Sequence, residues 1–219
     1  MAQVTGTYSV YDAKGLREDL SDIIYSISPT ETPFMSGIGK EKATAVLHEW
    51  QTDSLASAVA TNAQIEGDEI GFSAPSATTR VNNRTQISRK SVIVTGTLDS
   101  VSKAGRNNEL AYQISKASKE LKRDMESSLC ANNSPVVGDD STARELAGLA
   151  GWIQQNNDAG TGGANGQVSN VDVPGTARTD GTQRAFTESQ LKSVIKKCWD
   201  EGGDPSMIML GSFNKQVLS

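Results

Sequence analysis

The sequence predicts an α+β chain organised around one long β-hairpin and one long helix, with a looser helix–strand region after them. Three patterns carry this. Side chains alternate over Ala43 to Thr52, and a run of strand-forming residues spans Thr79 to Thr97. Apolar residues recur every three or four positions from Glu109 to Cys130. A capped helix, a turn and an apolar run follow one another between Thr187 and Leu210.

Residues 1–11 are small and polar. Leu16, Leu20, Ile23, Ile24 and Ile27 share one face of a helix predicted over Asp12 to Ile27. Pro29 and Pro33 stop that helix and impose an extended path, and Phe34 and Met35 then give an arm with an apolar stripe to dock. In the first strand Thr44, Val46, His48, Trp50 and Thr52 lie on one face, with Ala45, Leu47, Glu49 and Gln51 on the other. The second run contains Val81, Thr85, Ile87, Val92, Ile93, Val94 and Thr95. Between them, Asp53 to Thr78 is polar and small-residued, the composition of a wide tip. A two-stranded hairpin is marginal in water, so this one needs a partner surface, in its own chain or in a neighbour's.

Charge is divided along the hairpin. Residues 53–79 carry Asp53, Glu66, Asp68 and Glu69 without a Lys or Arg, whereas residues 80–106 carry Arg80, Arg84, Arg89, Lys90, Lys103 and Arg106 against the single acid Asp99. One reading is two solvated faces. The other is acidic tips meeting basic strands on adjacent subunits, which would fix register more than it adds affinity. On the second reading Glu66, Asp68, Glu69, Arg80, Arg84, Arg89 and Lys90 are contact residues, together with Leu16, Leu20 and Ile24 of the arm.

The Glu109–Cys130 helix carries Leu110, Ile114, Ala117, Leu121, Met125 and Leu129 as its stripe. Lys116 with Glu120, and Lys122 with Glu126, are i,i+4 pairs, and Asn107 or Asn108 can cap its start. It spans about 33 Å, and so narrow a stripe suits packing on one side of a sheet. Asn132, Asn133, Pro135 and Gly138 break the chain. Leu146, Leu149, Trp152 and Ile153 then form an apolar knot. Residues 155–185 have six glycines and almost no large apolar residue, so a long surface loop is expected. Thr187 and Gln190 make a capping box. Leu191, Val194, Ile195, Cys198 and Trp199 line one face of the helix it opens, and Gly202 ends it. Asp204 and Pro205 turn into a short buried strand, Met207 to Leu210, and Gly211 and Ser212 open a last helix. That helix stops at Ser219 after about two turns, so the chain is expected to be an incomplete subunit.

Composition narrows the chemistry. Of 219 residues 36% are hydrophobic and only 5% aromatic, which supports a thin core. The net charge of −5 argues against a protein whose task is gripping nucleic acid. Cys130 and Cys198 fall in predicted helices and read as buried or half-buried thiols, with no disulfide framework or zinc spacing. No stretch approaches the roughly 20 apolar residues of a membrane span, and no secretory signal is expected. His48 is the one histidine and sits mid-strand, so neither a Ser–His–Asp set nor an activated cysteine can be assembled. The glycine-rich Gly160–Gly166 lacks the Lys-Ser/Thr ending of a phosphate loop. No EF-hand spacing appears, and no aromatic–basic interleaving of a nucleic-acid platform. No catalytic, cofactor-binding or metal-binding residue is expected, and no cofactor.

The order of elements resembles the major capsid proteins of tailed bacteriophages. The likeness rests on YDAKGLREDLSDIIYSISPTETPFMSGIGK (Tyr11–Lys40), Trp50-Gln51-Thr52-Asp53, QISKASKELKRDMESSL (Gln113–Leu129), RELAGLAGWI (Arg144–Ile153) and DPSMIMLGSFNKQVLS (Asp204–Ser219). It implies the shell fold shared by tailed phages, herpesvirus capsid floors and encapsulin compartments. Residues 1–40 would be an N-terminal arm, 41–92 an extended loop, 93–137 a peripheral domain with the spine helix, and 138–219 the start of an axial domain, with the C-terminal part missing. The implied function is a structural subunit, not an enzyme. It would self-assemble through pentamers and hexamers into an icosahedral head enclosing DNA without sequence-specific binding, made in the host cytoplasm and kept in the virion. A separate scaffold protein, a portal and decoration proteins are the implied partners, and no membrane is. Two other readings stand beside it: an encapsulin-like compartment, and an enzyme whose site lies beyond residue 219. No lysine occurs between Lys42 and Lys90, so covalent cross-linking from the loop tip is not expected.

Overall fold

The computed structural model describes residues 31–69, 71–167 and 175–218. The helix predicted over Asp12–Ile27, with Leu16, Leu20 and Ile24, lies outside them. Among the described residues the elements are α1 Pro33–Gly37, β1 Leu47–Thr52, β2 Thr79–Arg84, α2 Gly96–Ser100, α3 Glu109–Cys130, α4 Leu149–Trp152, α5 Glu188–Asp200 and α6 Ser212–Leu218, a mixed α+β set. The chain divides into two compact units: one holds residues 90–120, and the other residues 31–89 with those from 121 onward.

In the unit of residues 90–120 the predicted second strand gives way to a helix. Thr95 ends the extended run by capping α2, its Oγ1 accepting the Leu98 N–H at 3.4 Å. Residues 91–95 keep the alternation of a strand, with Val92 and Val94 half-buried and Ile93 94% exposed, but form no ladder with another strand among the described residues. Lys103 Nζ closes the far end of α2 by donating to the carbonyls of Leu98, Asp99 and Val101 at 2.6, 3.0 and 3.0 Å. At the start of α3, Asn108 Oδ1 accepts the Ala111 N–H at 2.7 Å, the expected cap, and Asp99 Oδ1 accepts the Glu109 N–H at 2.9 Å. Glu109 is only 3% exposed. Its charge is met by Gln113 Nε2 at 2.8 Å and by Arg106, and these hydrogen bonds hold its carboxyl below the usual carboxylate range. Arg106 also lies 5.2 Å over the Tyr112 ring.

In the other unit Pro33 does not prolong an extended path; it opens α1. Proline suits the first helical turn, where its missing N–H is no loss. The next two N–H groups, of Phe34 and Met35, donate to the two oxygens of Glu126 at 2.8 and 2.7 Å. That use of Glu126 explains a second departure: no Lys122–Glu126 ion pair forms, whereas Lys116 and Glu120 stand 3.9 Å apart. Strands β1 and β2 pair antiparallel, from Leu47 opposite Arg84 to Thr52 opposite Thr79, as the only sheet among the described residues. Of the α3 stripe, Leu110, Ile114 and Met125 are 43, 52 and 38% exposed, whereas Ala117, Leu121 and Leu129 are half-buried.

The C-terminal half holds further corrections. The apolar knot is loose, with Leu149 and Ile153 exposed. The stretch expected as a surface loop forms a sparse antiparallel ribbon, in which Thr182 N–H donates to Thr161 O at 2.9 Å and Ala164 and Gln167 bridge Thr179 and Thr176. The capping box of α5 is present, and Gly202, at φ +83°, ends that helix with the Gly203 N–H on Cys198 O at 2.8 Å. Met207–Leu210 is not a buried strand. It finds no ladder partner among the described residues, and Met207, Ile208 and Met209 are exposed. Cys130 is exposed and Cys198 half-buried, so only the second matches its expected setting. No large apolar side chain is buried among the described residues.

Close backbone approach explains one glycine directly. A Cβ on Gly148 would lie 2.1 Å from the Ala131 carbonyl oxygen, a rigid atom just past α3. Gly148→Ala is expected to destabilise the larger unit by about 1–3 kcal/mol, the usual range for overpacking, measured as a lower midpoint in urea.

The hairpin turn between Val136 and Glu145 supplies a pH dependence. Asp139 Oδ1 accepts from Ser141 Oγ, Ser141 N and Thr142 N at 2.8, 2.7 and 2.7 Å, which lowers its pKa from 3.8 to about 2. A lowered carboxyl pKa gives stabilisation that is complete above the unfolded value and fades as pH falls through the folded one. Amide exchange at Ser141 and Thr142 should thus be protected relative to an Asp139→Ala variant at neutral pH, with the difference vanishing as pH drops from about 4 toward 2.

Candidate interaction surface

The surface is the β1–β2 ribbon and the tip it carries. At its root the ribbon is held by side-chain amides in place of a third strand. Asn83 on β2 donates from Nδ2 to Ala147 O at 3.2 Å and accepts the Ala147 N–H on Oδ1 at 2.9 Å. Asn133 does the same for the flanking residues, donating to Leu146 O at 2.8 Å and accepting the Gly148 N–H at 3.1 Å. Gln86 Oε1 accepts the Leu146 N–H at 3.2 Å, and Arg144 Nε donates to Thr85 O at 2.8 Å. Trp50 stacks on Trp152 with ring centroids 5.0 Å apart, and His48 lies against Trp50 at 5.7 Å.

Beyond the root, every described residue from Gln51 to Arg80 is exposed. Ile65 to Asp68 form a turn, with the Asp68 N–H on Ile65 O at 3.2 Å and Gly67 at φ +84°, a conformation that favours glycine. Glu66, Asp68 and Glu69 thus sit together around one turn. Four large apolar residues stand in the same tip: Leu55, Val59, Ile65 and Phe72 are 100, 66, 80 and 97% exposed. Isolated exposed apolar residues are ordinary; four within one exposed stretch make it a candidate contact surface.

The basic candidates do not behave alike. Arg80 is already engaged within the ribbon, 3.7 Å from Glu49. Arg84 is half-buried and Arg89 exposed, and neither makes an ion pair among the described residues. Lys90 begins the other unit. Leu16, Leu20 and Ile24 fall outside the described residues. The reading of residue types missed the amides Asn83, Asn133 and Gln86, although the doublets Asn82-Asn83 and Asn132-Asn133 were a visible signal. It also missed the apolar tip residues, which stood out against a stretch of small polar ones. No cluster of three His, Cys, Asp or Glu able to hold a metal occurs among the described residues, and no helix there is long and apolar enough to cross a membrane.

Residues 3–219 match the family described as SU10 major capsid protein. The chain belongs to that family. It is also 29% identical, over 237 aligned positions, to the major capsid protein of Escherichia phage Phieco32, an alignment covering 95% of this chain and 67% of that one. Membership makes the chain a structural subunit of a phage capsid and a component of the virion. The features described above suit such a subunit: they hold and present a surface.

The root can be tested apart from assembly. Asn83→Ala removes both amide bonds and leaves the Ala147 N–H and C=O without partners. A loss of about 1–3 kcal/mol is expected by urea titration of the subunit, together with a change in Trp50 and Trp152 fluorescence.

Proposed function

We propose that this capsid subunit assembles through pentamers and hexamers into an icosahedral head that encloses phage DNA, and that the hairpin tip reaches across an adjacent subunit. The observation that carries the reading is the tip itself, where Leu55, Ile65 and Phe72 are 80–100% exposed beside Glu66, Asp68 and Glu69. An apolar anchor ringed by one sign of charge gains nothing from its own chain and fits a neighbour that offers apolar surface and unpaired cations. Arg84 and Arg89 are the cations that supply the complement, with Arg80 as a spacer already neutralised by Glu49.

On this reading residues 1–40 form an arm, 41–92 the extended loop, 93–137 a peripheral domain around α3, and 138–219 the start of an axial domain, in the shell fold of tailed phages. The Leu16, Leu20 and Ile24 face of the arm packs beneath another subunit. A separate scaffold protein, a portal and decoration proteins are the further partners. The mildly acidic net charge of −5 suits a wall that must not trap the DNA it encloses.

Two variants test the contact. Phe72→Ala should weaken each tip contact by about 1.5–3 kcal/mol, the gain from burying a large apolar side chain, while leaving the subunit's own melting curve unchanged. Arg84→Glu with Arg89→Glu should likewise block assembly without unfolding the subunit. Negative-stain microscopy and size-exclusion chromatography of the full-length protein, with scaffold present, read both outcomes. Normal heads from both variants would refute the tip contact, and a wild-type protein that stays monomeric under all conditions would refute the shell.

A further inference from the structure

One polar group in the ribbon root is left over. Asn82 is only 8% exposed, and its side-chain Nδ2 is buried without an acceptor among the described residues. Its neighbour Asn83 has both amide atoms engaged, as does Asn133, so the orphan is particular to this position. Buried polar groups in folded proteins nearly always find a partner, and ordered water supplies the ones the chain does not.

Asn82 lines a small cavity of ≈ 10 Å³. The lining also includes Ser134 and Trp152, and Gln167 and Thr176 from the glycine-rich ribbon. The side chains of Ser134, Gln167 and Thr176 make no hydrogen bond among the described residues, so their hydroxyl and amide groups are free to turn toward it. The room is that of about one water molecule, and a water needs two to four polar partners. Other occupants fit poorly. A cation would face the amide donor, and a polyatomic anion is too large for the space.

We infer that this cavity is a binding site for one internal water. The water accepts a hydrogen bond from Asn82 Nδ2 and bonds to at least one of Ser134, Gln167 and Thr176. It thereby joins strand β2 either to the turn after α3, through Ser134, or to the Ala164–Thr179 ribbon, through Gln167 or Thr176, segments far from β2 in sequence. The site is independent of the tip contact proposed above and does not rest on it.

A high-resolution map of the full-length protein, as subunit or as assembled shell, decides the point without a variant. The expected result is a discrete density peak within hydrogen-bond distance of the Asn82 side-chain nitrogen and of a second polar group of the cavity. A dry cavity overturns the inference, as does an Asn82 amide bonded directly to a protein group. As a second measurement, Asn82→Leu should fill the space and lose the peak while leaving the Asn83–Ala147 bonds in place. A peak that persists in that variant would show that Asn82 does not hold the water.

Discussion

Asn83 and Asn133 grip the segment Leu146–Gly148 through its alternating backbone groups, one taking both groups of Ala147 and the other the carbonyl before it and the N–H after it. This is the hydrogen-bond pattern that two flanking strands would supply, delivered by two side chains. A side-chain amide carries one donor and one acceptor side by side and can imitate a peptide unit. The ribbon root depends on this grip because the described residues bury no large apolar side chain that could hold it otherwise. Each such bond contributes only about 0.5–1.5 kcal/mol net, but leaving a partner unmatched in a buried setting costs more, so the set acts together. Asn132 repeats the device with Arg178, at 2.6 and 2.9 Å, and ties the end of α3 to the glycine-rich ribbon.

Carboxylates do comparable work at helix ends. Glu126 takes the first free N–H groups of α1, and Asp99 takes one at the start of α3. The first carboxylate lies more than ninety positions away and the second ten, and each meets donors that the start of a helix leaves orphaned. Among the described residues the specific contacts are thus polar and directional, and many apolar residues stand exposed, on the hairpin tip and around Met207–Met209 above all.

The parts legible in the sequence were those governed by local rules. The bounds of α3 follow from its three-to-four spacing, the start of α5 from Thr187 and Gln190, and its end from Gly202. The hairpin followed from alternation and from the need to pair. What failed was set by distant partners. Residues 86–95 have strand composition but form no ladder among the described residues, and Thr95 diverts the chain into α2. Pro33 reads as a stop until Glu126, more than ninety positions away, offers its carboxylate. The glycines of 155–185 suggested a slack loop, whereas at Gly166 a Cβ would lie 2.3 Å from Gly151 O. At the candidate surface, the charge division along the hairpin was visible in the sequence. The internal use of Arg80 was not, since it depends on the register that sets Arg80 opposite Gln51 and diagonal to Glu49.

The outward apolar surface has a thermodynamic consequence. Covering apolar area lowers the heat capacity, and in most domains that decrement accompanies folding. Here the described residues leave an unusual share of it in water after the chain has folded, with Leu55, Ile65, Phe72, Ile87 and Ile93 at least 80% exposed. Part of the decrement is therefore deferred to whatever step covers that surface, and calorimetry would show an added temperature curvature in that step. Cold, which weakens apolar burial, would then loosen contacts between molecules well before it disturbs the amide-held root of each one.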